Sequence, residues 1–361
     1  MGSCHSAGRE DLFRLPARCQ TRPLILSYPF WNPDCVSFGN KLTQSDGAAA
    51  ICSGSLGWVR RVFFRLYNAE GRKMRKILCS LTALGFLSGI AAAHPSDGEQ
   101  TTAHFLANEG VMIVDGETKI LFDPLFRHDY ANYQNLPDDI RAKLFAGEAP
   151  YDGVDVVFIS HAHGDHFTAS EVNDYLAAQP QVLLVAPTQA VAMLRQGAGW
   201  EASFEDRITV MAPEYEGEPN SFAHVVVTED GVGSTTEESI TASAVRIPHA
   251  GGARMKDVEN IVYRVTLNEG ATVMHLGDAA PEREAHAPQT DFYQKIRTHM
   301  AFVPDWFFAA LGGEATREML NADKAVGIHV QVVVPQGLIE SGEDYFSKPG
   351  ETRAIMYGNP N

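Results

Sequence analysis

The sequence predicts an α/β fold built from short strands, and three of its features lead to that expectation. Apolar, β-branched runs of strand length alternate along the chain with segments of helical character. Two pairs of such runs join through tight-turn sequences, Asp-Gly at 115–116 and Asn-Glu-Gly at 268–270, as in β-hairpins. Several runs also end directly before a histidine or an aspartate, so side chains able to bind a metal collect at strand ends.

The segment FISHAHGDHF holds the densest group of these side chains. It follows the run GVDVVFIS, which predicts a buried strand over 153–160. Side chains two positions apart in an extended segment point the same way, so His161 and His163 can share one ion. Asp165 and His166 then turn toward a neighbouring ion.

A helix is predicted just beyond this group, because Thr168 stands at an N-cap position and Glu171 at the capping-box position. Four ligand-type residues in one small volume are hard to explain by packing, since burial without a metal leaves several polar groups to satisfy. Imidazole and carboxylate bind borderline divalent ions such as zinc, and a catalytic site leaves one position open for water. The sequence therefore predicts a metal site at the end of a strand.

The pattern H-x-H-x-D-H resembles the signature of the metallo-β-lactamase superfamily. The resemblance covers about residues 103–345 and is most similar to the branch of ascorbate-6-phosphate lactonase-like hydrolases. It implies an α/β fold of the αββα sandwich type, with a one- or two-metal site along one edge and further ligands from later strands. Three strand-like runs offer those ligands: SITASAVRIPH ends at His249, ATVMHLGD at Asp278 and DKAVGIH at His329.

The final ligand departs from the pattern of that branch, which has P-x-H where this chain has GIH. A competing alignment uses VVVPQG, which places Gly337 at the histidine position and removes a ligand. The run ADKAVGIHV favours His329. The opening hairpin matches the family as well, with Asp123 in the DP position.

The resemblance implies a centre with two divalent ions, for which Zn²⁺ is expected and Mn²⁺, Fe²⁺ or Ni²⁺ are alternatives. The implied reaction is hydrolysis of an ester, lactone, amide or phosphodiester bond in a small substrate by hydroxide. Asp165 would also orient the nucleophile or carry its proton. The implied ligands are His161, His163 and His249 for one ion, Asp165, His166 and His329 for the other, and Asp278 as the bridge.

Three rival functions remain open. Di-iron oxidoreductases can use the same sandwich, but that branch carries Glu at the position of His163 and needs a flavin domain, and the sequence shows neither feature. A metal-loaded binding protein or sensor with little turnover would have the same site. An exported β-lactamase is the rival among hydrolases; one of its subclasses uses a cysteine ligand, and residues 94–361 contain no cysteine.

The N-terminal region predicts export. The stretch from Met74 has a basic start, an apolar run and small residues at Ala91 and Ala93, as in a secretory signal peptide over 74–93. Cleavage before His94 would leave a periplasmic or secreted hydrolase domain, 94–361, without a stable membrane anchor. Residues 1–73 are interpreted as a disordered extension upstream of a misassigned start, and the alternative is a cytoplasmic tail on a signal anchor.

Charge separates at the same point of the chain. Residues 1–93 hold 12 Lys or Arg and 5 Asp or Glu, whereas residues 94–361 hold 17 and 40, a net charge of −23. A domain this acidic repels a phosphate backbone, so the sequence predicts a small-molecule substrate and no nucleic-acid partner. The oligomeric state stays open. The polar stretch over 126–153, with Tyr130 and Tyr133, either lines the pocket or is a surface excursion.

Overall fold

The computed structural model describes residues 100–229, 235–268, 270–310 and 312–358. The signal peptide and the upstream extension predicted for residues 1–93 lie outside these ranges. Among the described helices, none has both the length and the apolar character needed to cross a membrane.

The first sheet has seven strands, and its order in space is β13-β1-β2-β3-β4-β5-β6. The β13–β1, β1–β2 and β2–β3 pairs are antiparallel, and the β3–β4, β4–β5 and β5–β6 pairs are parallel. The predicted Asp-Gly hairpin joins the second and third strands. The strands are β1 (Thr102–Ala107), β2 (Gly110–Asp115), β3 (Thr118–Phe122), β4 (Val156–Phe158), β5 (Leu183–Ala186), β6 (Ile208–Val210) and β13 (Thr352–Ala354).

The second sheet has six strands in the order β12-β11-β10-β9-β8-β7. The β7–β8, β8–β9 and β9–β10 pairs are antiparallel, and the β10–β11 and β11–β12 pairs are parallel. The second predicted hairpin joins β9 and β10. The strands are β7 (Asn220–Glu229), β8 (Thr235–Arg246), β9 (Ile261–Leu267), β10 (Thr272–His275), β11 (Met300–Pro304) and β12 (Ala325–Ile328).

Two helical layers cover the outer faces of the sheets, and the alternation of side chains along the strands explains the layering. On β2, Val111 and Ile113 enter the core between the sheets, whereas Met112 packs toward the helices with Leu144 and Leu176. The predicted αββα sandwich is therefore confirmed. The helices are α1 (Asp138–Ala146), α2 (Ala169–Ala178), α3 (Thr188–Gln196), α4 (Arg283–His286), α5 (Thr290–Lys295), α6 (Trp306–Ala309), α7 (Gly313–Met319) and α8 (Gln336–Ser341).

One local prediction about α2 is wrong in its chemistry. The helix begins after Thr168 as expected, but the Thr168 side chain makes no cap hydrogen bond. Its hydroxyl instead accepts the backbone N–H of Arg127 at 2.9 Å. Glu171 also turns away from the helix end and pairs with Arg127 and Arg141. Instead of closing a capping box, Thr168 and Glu171 connect α2 to Arg127 in the loop after β3 and to Arg141 in α1.

Candidate metal centre

All seven predicted ligand residues lie at one edge of the sandwich, beyond the C-terminal ends of strands. Four follow β4 in the loop before α2, and His329 follows β12 directly. His249 lies three residues after β8 and Asp278 three residues after β10. Since β8 and β10 are both antiparallel to β9, they run in the same direction and bring their ends together. The two sheets thus each contribute side chains to one site.

The first group of ligand atoms comes from His161, His163, His249 and Asp278, and these atoms lie within 4.8 Å of one another. The Nδ1 atom of His163 lies 3.1 Å from the Nε2 atoms of both His161 and His249. The Oδ2 atom of Asp278 lies 3.2 Å from His249 Nε2. Ligands about 2.1 Å from a tetrahedral zinc ion lie about 3.4 Å apart, so the spacing suits one ion.

The second group comes from Asp165, His166 and His329, together with the other oxygen of Asp278. His329 Nε2 lies 3.3 Å from Asp165 Oδ2 and 3.5 Å from Asp278 Oδ1. His166 Nε2 lies 3.3 Å from Asp278 Oδ1 and 3.8 Å from Asp165 Oδ2. Asp278 therefore turns one carboxylate oxygen toward each group.

Several of these atoms are buried and have no hydrogen-bond partner among the described residues: His166 Nε2, His329 Nε2 and Asp278 Oδ1. A buried polar atom without a partner costs free energy, so such a cluster needs an additional group to satisfy it. The atoms face one another across gaps that match a coordinated cation. The donor set of imidazole and carboxylate therefore fits two divalent ions.

Hydrogen bonds behind His161 and His249 fix which nitrogen of each of these two rings faces the centre. His249 Nδ1 lies 2.5 Å from the carbonyl oxygen of Ala250, which can only accept, so Nδ1 carries the proton and Nε2 presents a lone pair. His161 Nδ1 lies 2.9 Å from the Ser160 hydroxyl, which is itself bonded to Asp123. Such partners orient metal-binding imidazoles and raise their basicity.

Asp123 connects the two histidines that lie deepest. Its carboxylate accepts the backbone N–H of Ser160 at 2.7 Å and lies 3.1 Å from His166 Nδ1. The buried Glu109 carboxylate faces the same nitrogen at 3.4 Å. His275 lies below them, with Nε2 at 3.0 Å from the Glu109 carbonyl oxygen. His275 thus bonds the backbone of Glu109 and lies behind the two groups of ligands.

Burial and neighbouring charges shift the protonation of the centre. Burial lowers the pKa of His161 well below its usual value, so this ring is neutral. Burial opposes the charge of His166 as well, but the carboxylates of Asp278 and Glu109 raise its pKa well above the usual range. Burial also opposes the charge of Asp165, but the adjacent His329 and His166 imidazoles lower its pKa to about 2. In the metal-free protein, the second group therefore holds a proton that an ion must displace.

Tyr130 and Tyr133, for which the sequence left a pocket or a surface position open, lie beside the ligands. The ring of Tyr133 meets the His329 ring edge-on, with centroids 4.3 Å apart, and Trp306 meets it from another side at 5.0 Å. The Tyr130 hydroxyl approaches Gly164, within the ligand loop. Aromatic side chains therefore wall the second group, and part of the polar stretch over 126–153 lines the site.

Sequence reasoning missed two residues at this edge, Asn108 and Glu109, in the turn between β1 and β2. Both are fully buried. Asn and Glu are typical of exposed turns, so the sequence alone gives no sign that this pair is buried. Gly337, the residue that the competing alignment puts at the last ligand position, lies in α8, whereas His329 lies in the cluster.

The fold and the site define a class of metal-binding α/β-sandwich proteins. The sequence model described as "Beta-lactamase superfamily domain" matches residues 103–304, more than half of the chain. The chain belongs to that family. Comparison with curated proteins finds no match.

Solved structures are similar to this chain at low sequence identity. The metallo-beta-lactamase fold protein YhfI from Bacillus subtilis is 13% identical, with a TM-score of 0.44, and the match covers 72% of this chain and 100% of that one. Igni18, a metallo hydrolase from Ignicoccus hospitalis, is 15% identical, with a TM-score of 0.47 and the same coverage. CmlA, a diiron beta-hydroxylase from Streptomyces venezuelae, is 13% identical, with a TM-score of 0.40, covering 73% of this chain and 55% of that one.

Proposed function

We propose that the protein is a metal-dependent hydrolase that uses two divalent ions, with zinc as the expected metal. The observation that supports this most directly is the division of Asp278, whose two carboxylate oxygens face two separate groups of buried ligand atoms. When bound, paired ions lower the pKa of a water molecule and polarise the oxygen of the bond to be cleaved.

The residues of the centre have distinct roles in this proposal. His161, His163 and His249 hold the first ion, and hydrogen bonds behind His161 and His249 direct the lone pairs of those two rings. Asp165 stays ionised because its pKa lies at about 2, so it can accept a hydrogen bond from the nucleophile or take its proton. Tyr133 and Trp306 restrict access beside His329 and exclude water from one side of the site.

The proposed substrate is a small molecule with an ester, lactone, amide or phosphodiester bond. The acidic chain, with a formal net charge of −16, disfavours a nucleic-acid substrate. The sequence motifs resemble those of the ascorbate-6-phosphate lactonase-like branch, so lactones and esters are the first compounds to assay.

Metal analysis together with a substrate panel tests the function. The purified protein is expected to bind two ions and to hydrolyse at least one class among esters, lactones, phosphodiesters and β-lactams. His161→Ala should abolish turnover and first-ion binding, and His329→Ala should mainly weaken the second ion. His104→Ala is the control, because His104 lies on β1 and bonds Thr102 instead of the cluster.

The outcomes separate the rival functions. Turnover of β-lactams alone would identify a β-lactamase. Two tightly bound ions without turnover of any class would contradict the hydrolase proposal and favour a metal-loaded binding or sensor protein.

We also propose that the hydrolase is exported to the periplasm or secreted after cleavage before His94. The basic start, apolar run and small residues of 74–93 support this. N-terminal sequencing of the exported protein is the test. A membrane-bound form that retains residues 74–93 would contradict cleavage.

A further inference from the structure

In the turn between β1 and β2, Asn108 reaches the backbone of the second group of ligands. This residue is fully buried and has a positive φ of 48°, a left-handed conformation that asparagine tolerates better than most residues. The register of the β1–β2 pair shifts next to it, between Phe105 and Ala107. The Asn108 side-chain amide faces the loop that carries Asp165.

Asn108 bonds the backbone of two ligands that lie far apart in the sequence. Its backbone carbonyl oxygen accepts the backbone N–H of His329 at 2.9 Å. Its side-chain Nδ2 donates to the carbonyl oxygen of Asp165, also at 2.9 Å. Because a carbonyl oxygen can only accept, the side-chain atom that faces Asp165 must be the nitrogen. One residue therefore holds the backbone of both Asp165 and His329.

The other ligand groups rely on different supports. Ser160 and Asp123 lie behind His161 and His166. Asn260 accepts the backbone N–H of Asp278 at 3.0 Å and donates to the carbonyl oxygen of Leu276 at 3.1 Å. Neither of these supports bonds the backbone of Asp165 or His329 among the described residues.

We propose that Asn108 is a positioning residue that sets the affinity of the second ion. The inference rests on the proposed two-ion centre. Asp165 and His329 come from opposite sheets, and their side chains meet at 3.3 Å only if their backbones keep a fixed separation. Residues behind metal ligands commonly change metal affinity when they are replaced, because they orient the ligands. Glycine would tolerate the positive φ but cannot donate, and aspartate cannot donate either.

The test is a titration of metal-free Asn108→Gly with Zn²⁺, using a competing chelator to obtain both dissociation constants. This variant removes the side-chain donor, keeps the carbonyl that His329 uses, and adds no backbone strain. The second dissociation constant is expected to rise about 10- to 100-fold, with the first unchanged. Circular dichroism and Tm verify that the variant folds.

Asn173→Ala is the matched control. Asn173 is also fully buried, and its Nδ2 donates to the carbonyl oxygens of Leu194 and Ala198, both at 3.0 Å. Its loss should lower Tm without changing either dissociation constant. Asn108→Ala, which adds left-handed strain, should lower Tm below that of Asn108→Gly and leave the second dissociation constant equally weakened.

Two results would overturn the inference. If the second ion binds Asn108→Gly as tightly as it binds the unmodified protein, Asn108 does not set its affinity. If both dissociation constants rise equally, the variant has lost structure generally and the specific role is contradicted. Failure of the proposed function has a different signature, because the unmodified protein would then bind fewer than two ions or hydrolyse no substrate while Asn108→Gly behaved as its parent.

Discussion

At the scale of single residues, the proton on His166 predicts that the two ions bind with different pH dependence. Carboxylates of Asp278 and Glu109 raise the pKa of His166 despite its burial, whereas burial lowers the pKa of His161. A ligand nitrogen must lose its proton before it binds a metal. Between about pH 6 and 8, the second dissociation constant should fall as pH rises, by up to about tenfold per pH unit, and the first should change less steeply. Equal slopes for both ions would contradict this.

The same residue affects the stability of the metal-free protein. The pKa of His166 is raised in the folded state, so its protonation adds to the free energy of unfolding. This stabilisation is complete below the pKa of the unfolded chain, near 6.5, and is lost as pH rises through the pKa of the folded protein. Unfolding by urea at several pH values measures this loss, which should disappear once two ions are bound.

Ligand residues could be predicted from sequence because their chemistry and their place after strand-like runs are both local signals. His161 and Asp278 each follow an apolar run directly. Asn108 and Asn260 gave no such signal, since they act through backbone atoms distant in sequence. The error at Glu171 has the same origin, because its arginine partners outside α2 offered alternatives to the capping box.

At the scale of elements, the turn after β10 has room only for glycine at position 277. Gly277 has a φ of 51°, and an added Cβ would lie 2.5 Å from Asn260 Oδ1 and 2.7 Å from Ser160 Cβ. Those residues support Asp278 and His161, so Gly277→Ala should lower the free energy of unfolding by about 2–4 kcal/mol and reduce metal content. Urea unfolding and metal analysis measure both effects.

Gly116→Ala is the control for this turn. Gly116 has a similar φ of 61°, in the hairpin between β2 and β3, but an added Cβ would have no atom within 4 Å. Only the left-handed strain remains, at about 1 kcal/mol, and metal content should not change. A Gly277→Ala protein no less stable than Gly116→Ala would show that the turn can widen at no cost.

The division between the two sheets shows where element-level prediction stops. The short apolar run RITV, residues 207–210, lies between the two halves of the sandwich, and its sequence does not show which sheet it joins. In the structure, Ile208 on β6 pairs parallel with Leu184 on β5, so this strand ends the first sheet. A three-residue strand has too little periodicity to identify its neighbour, and the pairing depends on the tertiary fold.

At the scale of the whole molecule, the metal centre joins the two sheets of the sandwich. One sheet supplies His161, His163, Asp165 and His166, and the other supplies His249, Asp278 and His329. Bound ions therefore connect ligands that unfolding separates, and each ion stabilises the folded state by about 2.7 kcal/mol at a free concentration 100 times its dissociation constant. Two ions should thus contribute about 5 kcal/mol under those conditions.

This linkage predicts a large change in Tm on metal removal. At about 2–4 °C per kcal/mol for a domain of this size, loss of both ions should lower Tm by about 10–20 °C. Scanning calorimetry of the protein with saturating Zn²⁺, and again after dialysis against a chelator, measures the change. His161→Ala should show a smaller shift, because it disrupts the first group of ligands, and the His104→Ala control should show the full shift. Identical Tm values with and without metal would mean that the ligands do not bind ions between the two sheets.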